Sequence, residues 1–107
     1  MNKEILEILE TVQEAIFYIE DNVEIGNFNP TYTVMKDVLS AMEAIDNTLD
    51  KKGTDLNKYQ SLFDDFVDNF DKLLDVYEQK NPQMAVEYMK ENVTKKFLEL
   101  KKEIELL

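Results

Sequence analysis

Five acidic residues at helical spacing form the sharpest polar pattern in the sequence. They are Asp64, Asp68, Asp71, Asp75 and Glu78. Steps of three and four residues place such side chains on one face of a helix. Carboxylates of this kind can bind Mg²⁺ or Ca²⁺, or can dock a basic partner. A metal site requires several ligands that converge on one point, so we expect a solvated outer face and predict no metal or other cofactor.

The start of this acidic row, Asp64-Asp65-x-x-Asp68, is similar to the Glu-Glu-x-x-Glu motif of all-helical nucleotide pyrophosphatases. Those enzymes carry a second motif, Glu-x-x-Asp, on the following helix. The last quarter of this chain offers Glu87 and Glu91 without such a partner. We therefore predict that the chain is not an enzyme, and we keep a metal-dependent enzyme built on these aspartates only as an alternative.

The composition excludes most other catalytic chemistry. The 107 residues include 12 Lys and no Arg, 23 acidic residues, no His and no Cys, for a net charge of −11. Without His or Cys the chain has neither the commonest general base nor a thiolate nucleophile, and without Arg it has no bidentate anion clamp. The negative charge opposes binding to nucleic acid or to anionic lipid. We expect no nucleic acid, membrane or small-molecule substrate as a partner.

Three residues of the first quarter of the chain suggest contact with another protein. Leu6 and Phe17 fall off the main apolar stripe of this segment, and Tyr18 lies beside them. One interpretation is a wide buried face, or a helix that is covered on two sides. The alternative is a second apolar strip that receives a partner's amphipathic helix or another copy of this chain.

The elements that position these residues are separated by Gly26, Pro30, Gly53 and Pro82, which are the only Gly and Pro residues in the chain. The segments between them predict helices over about 3–25, 30–52, 55–80 and 82–106. Asn29-Pro30 and Asn81-Pro82 are each typical of an N-cap followed by proline in the first turn. Lys51 and Lys52 before Gly53 are typical of a helix end.

Apolar residues recur at steps of three and four in every segment, most regularly in the third. That stripe comprises Leu56, Tyr59, Phe63, Phe66, Phe70, Leu73 and Tyr77. The pattern indicates an amphipathic helix with one buried face, and no stretch alternates with period two. We predict an all-α fold, an antiparallel up-down four-helix bundle, in one domain over 1–107.

The location in the cell is also suggested by the sequence. The longest apolar run, from Ala15 to Ile19, is far shorter than a membrane span requires. Acidic residues occupy the positions where a signal peptide would have its apolar stretch. We expect a cytoplasmic protein.

The third and fourth segments resemble a group of small bacterial helical proteins of unknown function. The pattern is Phe63-x-x-Phe66-x-x-x-Phe70-x-x-Leu73, then Val-Tyr-Glu-Gln-Lys-Asn at 76–81 and a final amphipathic helix. The resemblance implies the bundle fold and supplies no catalytic residues. More distantly, the layout is similar to the flagellar export chaperones, which are compact acidic bundles that hold a partner's helical segment, and this likeness implies partner binding.

Two functional hypotheses from different classes follow. The first is a non-enzymatic interaction module, chaperone-like or adaptor-like, that binds an amphipathic helix or its own copy. The second is an acidic inhibitor that imitates nucleic acid and blocks a basic enzyme. Residues 1–29 carry a net charge of −6 and residues 54–80 a net charge of −4, so the second hypothesis requires the first and third helices to present their acids on one face.

Overall fold

The structure, a computed structural model, describes residues 3–49 and 56–107. Within these ranges the chain forms helices and no strand. The elements are α1 (Lys3–Glu24), α2 (Asn29–Thr48), α3 (Asn57–Glu78), α4 (Pro82–Tyr88), a π-helical segment (Met89–Thr94) and α5 (Lys95–Glu105). The last three run on without a break, and we call 82–105 together the fourth helix. The predicted all-α bundle is confirmed.

Hydrogen bonds between side chains show that successive helices run in opposite directions. Near the start of α2, Thr31 bonds to Tyr77 at the end of α3, with 2.8 Å between the hydroxyl oxygens. Near the end of α2, Asp46 accepts a hydrogen bond from Tyr59 at the start of α3. The two helices are therefore antiparallel.

The fourth helix lies antiparallel to both α1 and α3. Thr94 donates to Glu20 near the end of α1, and Lys101 donates to Gln13 in the middle of α1. Three contacts between α3 and the fourth helix follow the same antiparallel order, namely Asn69–Tyr88, Asp65–Lys96 and Lys58–Glu103. The four helices thus form an up-down arrangement with α1 and α3 at diagonal corners.

The turn between α1 and α2 follows the prediction at Gly26 and departs from it at Asn29. Gly26 has φ +79°, its N–H bonds to Val23 O, and the N–H of Asn27 bonds to Asn22 O. This pattern is a Schellman motif, which satisfies the last carbonyls of α1. The prediction that Asn29 caps α2 is wrong, because Asn29 is already the first residue of the helix and Phe28 takes the N-cap position, with no side-chain cap hydrogen bond.

The predicted end of α2 at residue 52 is also wrong. The helix ends at Thr48, and Leu49 is extended with ψ 134°. Thr48 donates its hydroxyl proton to Ala44 O at 2.7 Å. The predicted stop at Lys51-Lys52-Gly53 lies outside the described residues.

The turn between α3 and the fourth helix contains one correctly predicted cap. The side chain of Asn81 accepts from the N–H of Met84 at 3.1 Å, and Pro82 follows in the first turn. Immediately before it, Lys80 has φ +51°, in the left-handed region that favours glycine. The prediction of one regular helix over 82–106 misses the π-helical segment in its middle.

The core is a continuous apolar cluster along the bundle axis. In the predicted stripe of α3, Tyr59, Phe66, Phe70, Leu73 and Tyr77 are buried, whereas Leu56 and Phe63 are only partly buried. Each of the other helices contributes a comparable stripe. This burial is the main stabilising term for a domain of this size.

Candidate functional site

The predicted acidic row does not form a metal site. Asp64, Asp68, Asp71 and Asp75 are all exposed along α3. Asp64 accepts from Gln60 at 2.9 Å, and Asp68 pairs with Lys72 of the next turn at 3.1 Å. Among the residues that the structure describes, no three potential ligands come close enough to hold a metal ion. The geometry fits a solvated face.

Of the three predicted partner-binding residues of α1, Leu6 and Phe17 lie on one side of the helix, eleven residues apart, and Tyr18 does not. Leu6 is partly buried, and Phe17 and Tyr18 retain 42% and 45% of their exposure. Neighbouring residues of a helix point about 100° apart. Phe17 lies on the side of α1 that faces the fourth helix, in the same row as Gln13, which bonds to Lys101 there. Tyr18 lies farther around α1.

The largest departure from a regular bundle is between α2 and α3. In the described ranges, α1 packs along both α2 and the fourth helix, and α3 packs along the fourth helix, whereas the backbones of α2 and α3 hardly approach each other. The gap between them is an apolar opening of about 280 Å³, which we call the α2–α3 groove. It is lined by Tyr32, Met35, Lys36, Leu39, Phe70, Asp71 and Leu74.

Side chains close one end of the α2–α3 groove in a tyrosine cluster. Tyr77 is buried and packs edge-on against Phe28 and Tyr32, at centroid distances of 4.8 and 5.4 Å. Thr31 donates its proton to Phe28 O at 2.6 Å, so its oxygen accepts from Tyr77. Burial raises the pKa of Tyr77, and its hydroxyl stays a neutral donor. The cluster joins the end of α3 to the start of α2.

Beyond the other end of the α2–α3 groove, Tyr59 and Asp46 join the start of α3 to the end of α2. The Tyr59 ring is fully buried, and its hydroxyl donates to the Asp46 carboxylate. Burial and this carboxylate both raise the pKa of Tyr59. α2 and α3 are therefore joined by a polar contact near each end, and the groove with its apolar floor lies between these contacts.

A buried carboxyl lies on the other side of the molecule, where α1 meets the fourth helix. Glu20 is only 7% exposed and accepts from the Thr94 hydroxyl at 3.0 Å. Burial raises its pKa above the ordinary value of 4.5, against the lowering effects of Thr94 and of the charge on Lys90. Thr94 is the last residue of the π-helical segment, so this irregular turn holds the donor in place.

Sequence reasoning missed Glu20, although one signal was present. Glu20 lies four residues after Ile16 and three before Val23, both of which are buried, and so it falls on the apolar stripe of α1. A charged residue on such a stripe indicates a buried carboxyl or a covered seam. No comparable pattern in the sequence predicts the α2–α3 groove.

The acids of α1 and α3 do not combine into one surface. The two helices occupy diagonal corners, and each packs against the fourth helix between them. Their outer faces therefore point in different directions.

The fold and these surfaces define a small all-α bundle with an apolar groove and no recognisable catalytic constellation in its described part. By comparison with known families, the chain belongs to a family described as a domain of unknown function, DUF8042, which it matches over residues 1–103. No curated protein and no solved structure matches it. None of the described helices is long and apolar enough to cross a membrane.

Proposed function

We propose that this protein is a cytoplasmic, non-enzymatic interaction module that binds an amphipathic helix of a partner protein in the α2–α3 groove. The observation that carries the proposal is the separation of α2 from α3. The two helices are tied at both ends and leave an apolar floor between them. Met35 and Phe70 form buried parts of that floor, and Leu74 is 43% exposed beside them.

The dimensions of the groove suit side chains from a short helical segment. Its lining on α2 runs from Tyr32 to Leu39, which at 1.5 Å per residue is about 10 Å, or two helical turns. A partner helix with apolar side chains at positions i, i+3 or i+4 and i+7 would place them along this length. Lys36 and Asp71 at the lining offer one charge of each sign to orient it.

The likeness to flagellar export chaperones is a narrower form of the same proposal. In that form the guest is a terminal helix of an exported protein. The guest would co-purify with this chain and raise its melting temperature, because a ligand that binds only the folded state stabilises it.

The alternative function, an acidic inhibitor that imitates nucleic acid, has less support. It requires one continuous acidic surface, and the acids of α1 and α3 lie on diagonal corners of the bundle. No feature of the described residues favours it over the interaction module.

The test is a differential capture with three immobilised forms of the chain. Leu74→Ser removes an apolar side chain from the α2–α3 groove, and Met84→Ser removes one of equal exposure, 44%, from the start of the fourth helix. We expect wild type and Met84→Ser to retain the same protein from a lysate of the source organism, and Leu74→Ser to lose it. Circular dichroism verifies that all three forms are folded. Recovery that is identical on all three, or no specific recovery, contradicts the proposal.

A further inference from the structure

The seam between α1 and the fourth helix carries two exposed apolar side chains at the same level. Phe17 and Leu98 are each 42% exposed. The bond from Thr94 to Glu20 fixes the register of the seam at one point, and the bond from Lys101 to Gln13 fixes it at another. Phe17 lies about midway between the two acceptors, and Leu98 lies about midway between the two donors. We call the outer surface around this pair the seam face.

Around Phe17 and Leu98 the two sides of the seam face carry opposite charge. On the α1 side the exposed charged residues are acidic, namely Glu14, Asp21 and Glu24. On the fourth-helix side Leu98 lies in a shallow groove of about 510 Å³ whose other lining residues are Lys90, Thr94, Lys95, Glu99 and Lys102. Three lysines against one glutamate make this groove cationic, in a chain whose net charge is −11.

We infer that the seam face binds a second copy of this chain in a two-fold symmetric dimer. A two-fold axis parallel to the seam places α1 of one protomer over the fourth helix of its partner, twice over. The acidic side of each protomer then meets the basic side of the other, and Phe17 and Leu98 come together in the middle. A surface that complements itself in this way closes into a dimer and does not polymerise.

The alternative orientation is disfavoured by the same charges. A two-fold axis perpendicular to the seam would set α1 against α1 and lysines against lysines. Like charges brought together in this way oppose association. The charge pattern therefore selects one of the two symmetric arrangements.

The available area is sufficient for a stable dimer. The molecule measures 45 × 23 × 17 Å, so one long face offers roughly 800–1,000 Å², which is about what each partner contributes to an interface of standard size. The seam face and the α2–α3 groove lie on opposite sides of the bundle. The dimer does not depend on the proposed function, and it leaves the α2–α3 groove of each protomer open.

The first experiment measures the oligomeric state by sedimentation equilibrium from about 5 to 500 µM protein in about 150 mM NaCl. We expect wild type to dimerise, and Phe17→Ser and Leu98→Ser each to raise the dissociation constant about tenfold or more. Leu74→Ser removes an equally exposed side chain, 43%, from the opposite side and is expected to leave the dimer unchanged. Circular dichroism checks that each variant is folded.

The second experiment reverses the charge of one side at a time. One double variant is Lys95→Glu with Lys102→Glu, and the other is Glu14→Lys with Asp21→Lys. Each single substitution changes the net charge by two. The first double variant therefore carries −15 and the second carries −7, whereas wild type carries −11. We expect neither to dimerise alone, including the less charged one, and an equal mixture of the two to form a heterodimer.

The mixture is its own control for net charge, because the heterodimer carries the same total charge as the wild-type dimer. A wild-type chain that stays monomeric throughout the concentration range overturns the inference. A dimer that survives both Phe17→Ser and Leu98→Ser also overturns it, and so does a dimer that is lost in Leu74→Ser. The inference is overturned as well if the two charge-reversed variants fail to associate when mixed. A dimer lost in Leu74→Ser would place the second copy in the α2–α3 groove and would contradict the proposed function as well. The other outcomes leave the capture test of the α2–α3 groove, which depends on Leu74, unaffected.

Discussion

Glu20 is the residue whose environment differs most from what its type favours. A carboxylate in a nearly closed seam loses most of its hydration, and one hydroxyl donor replaces only part of it. Burial therefore raises the pKa of Glu20, although the charge on Lys90 lowers it in part. The folded state holds a proton on Glu20 at pH values where the unfolded chain has released it.

The pH dependence follows from this difference. As the pH rises from the ordinary pKa of 4.5 through the raised pKa of the folded state, the unfolded state binds fewer protons than the folded one, and stability falls. At pH values above the raised pKa of the folded state, the free-energy cost of burying the charged carboxylate no longer changes with pH. Glu20→Gln removes the penalty and retains an oxygen that accepts from Thr94, so we expect it to stabilise the fold by about 1 kcal/mol at neutral pH.

Urea denaturation of wild type and Glu20→Gln between pH 7.5 and 4.5 measures the effect, and the advantage of the variant should shrink as the pH falls. Glu24→Gln provides the control, because it makes the same change of charge at an exposed position of the same helix. An equal gain from Glu24→Gln would mean that net charge, and not burial, is responsible.

At the scale of elements, the turn between α3 and the fourth helix contains a removable strain. Lys80 has φ +51° and donates its N–H to Tyr77 O at 3.0 Å. A side chain in this region costs roughly 1–2 kcal/mol, and glycine avoids this cost. The greater conformational entropy of glycine in the unfolded chain opposes folding by a smaller amount. We expect Lys80→Gly to raise the free energy of unfolding by about 0.5–1 kcal/mol, as measured by urea denaturation.

The preceding residue offers a matched control for Lys80→Gly. Gln79 has φ −72°, an ordinary helical value, so Gln79→Gly should lower stability by about 0.5–1 kcal/mol. Two glycine substitutions side by side would then act in opposite directions. If both destabilise the fold, the strain assigned to Lys80 is absent.

The elements also show which features a sequence can predict. The four helices, the Asn81 cap and the end of α1 at Gly26 depend on residues within a few positions of one another, so local spacing and capping chemistry predict them. The burial of Glu20 depends on Thr94, which is 74 residues away, and no local pattern reports that contact. The α2–α3 groove is equally nonlocal, because it results from helices tied at Tyr77 and Tyr59.

The start of α2 was predicted wrongly because a local capping signal competes there with tertiary packing. Asn29 precedes a proline and was expected to cap α2, but Phe28 takes that position. Its ring packs against Tyr77 at the end of the bundle. Tertiary packing of one aromatic side chain thus overrides a capping preference of about 1 kcal/mol.

At the scale of the whole molecule, a net charge of −11 on 107 residues opposes compaction. Salt screens this repulsion over a Debye length of about 10 Å at 0.1 M. We expect the melting temperature to rise by roughly 5 °C or more between about 10 and 500 mM NaCl. Thermal unfolding monitored by circular dichroism at about 5 µM protein keeps the chain dilute enough to separate this effect from association.

The control for the salt experiment is pH. Near the isoelectric point of about 4.3 the net charge vanishes, and added salt should then have little effect on the melting temperature. A melting temperature that is independent of salt at neutral pH would show that the charges are too widely spread to repel one another.

The two tyrosine contacts have a consequence for how α2 and α3 can separate. Tyr59 and Tyr77 are 18 residues apart on α3, which is a span of about 27 Å, and each of them joins α3 to α2. Two helices that are joined near both ends cannot hinge apart from one end. Widening between them therefore requires the helices to bow apart in the middle, or one of the two tyrosine hydrogen bonds to break.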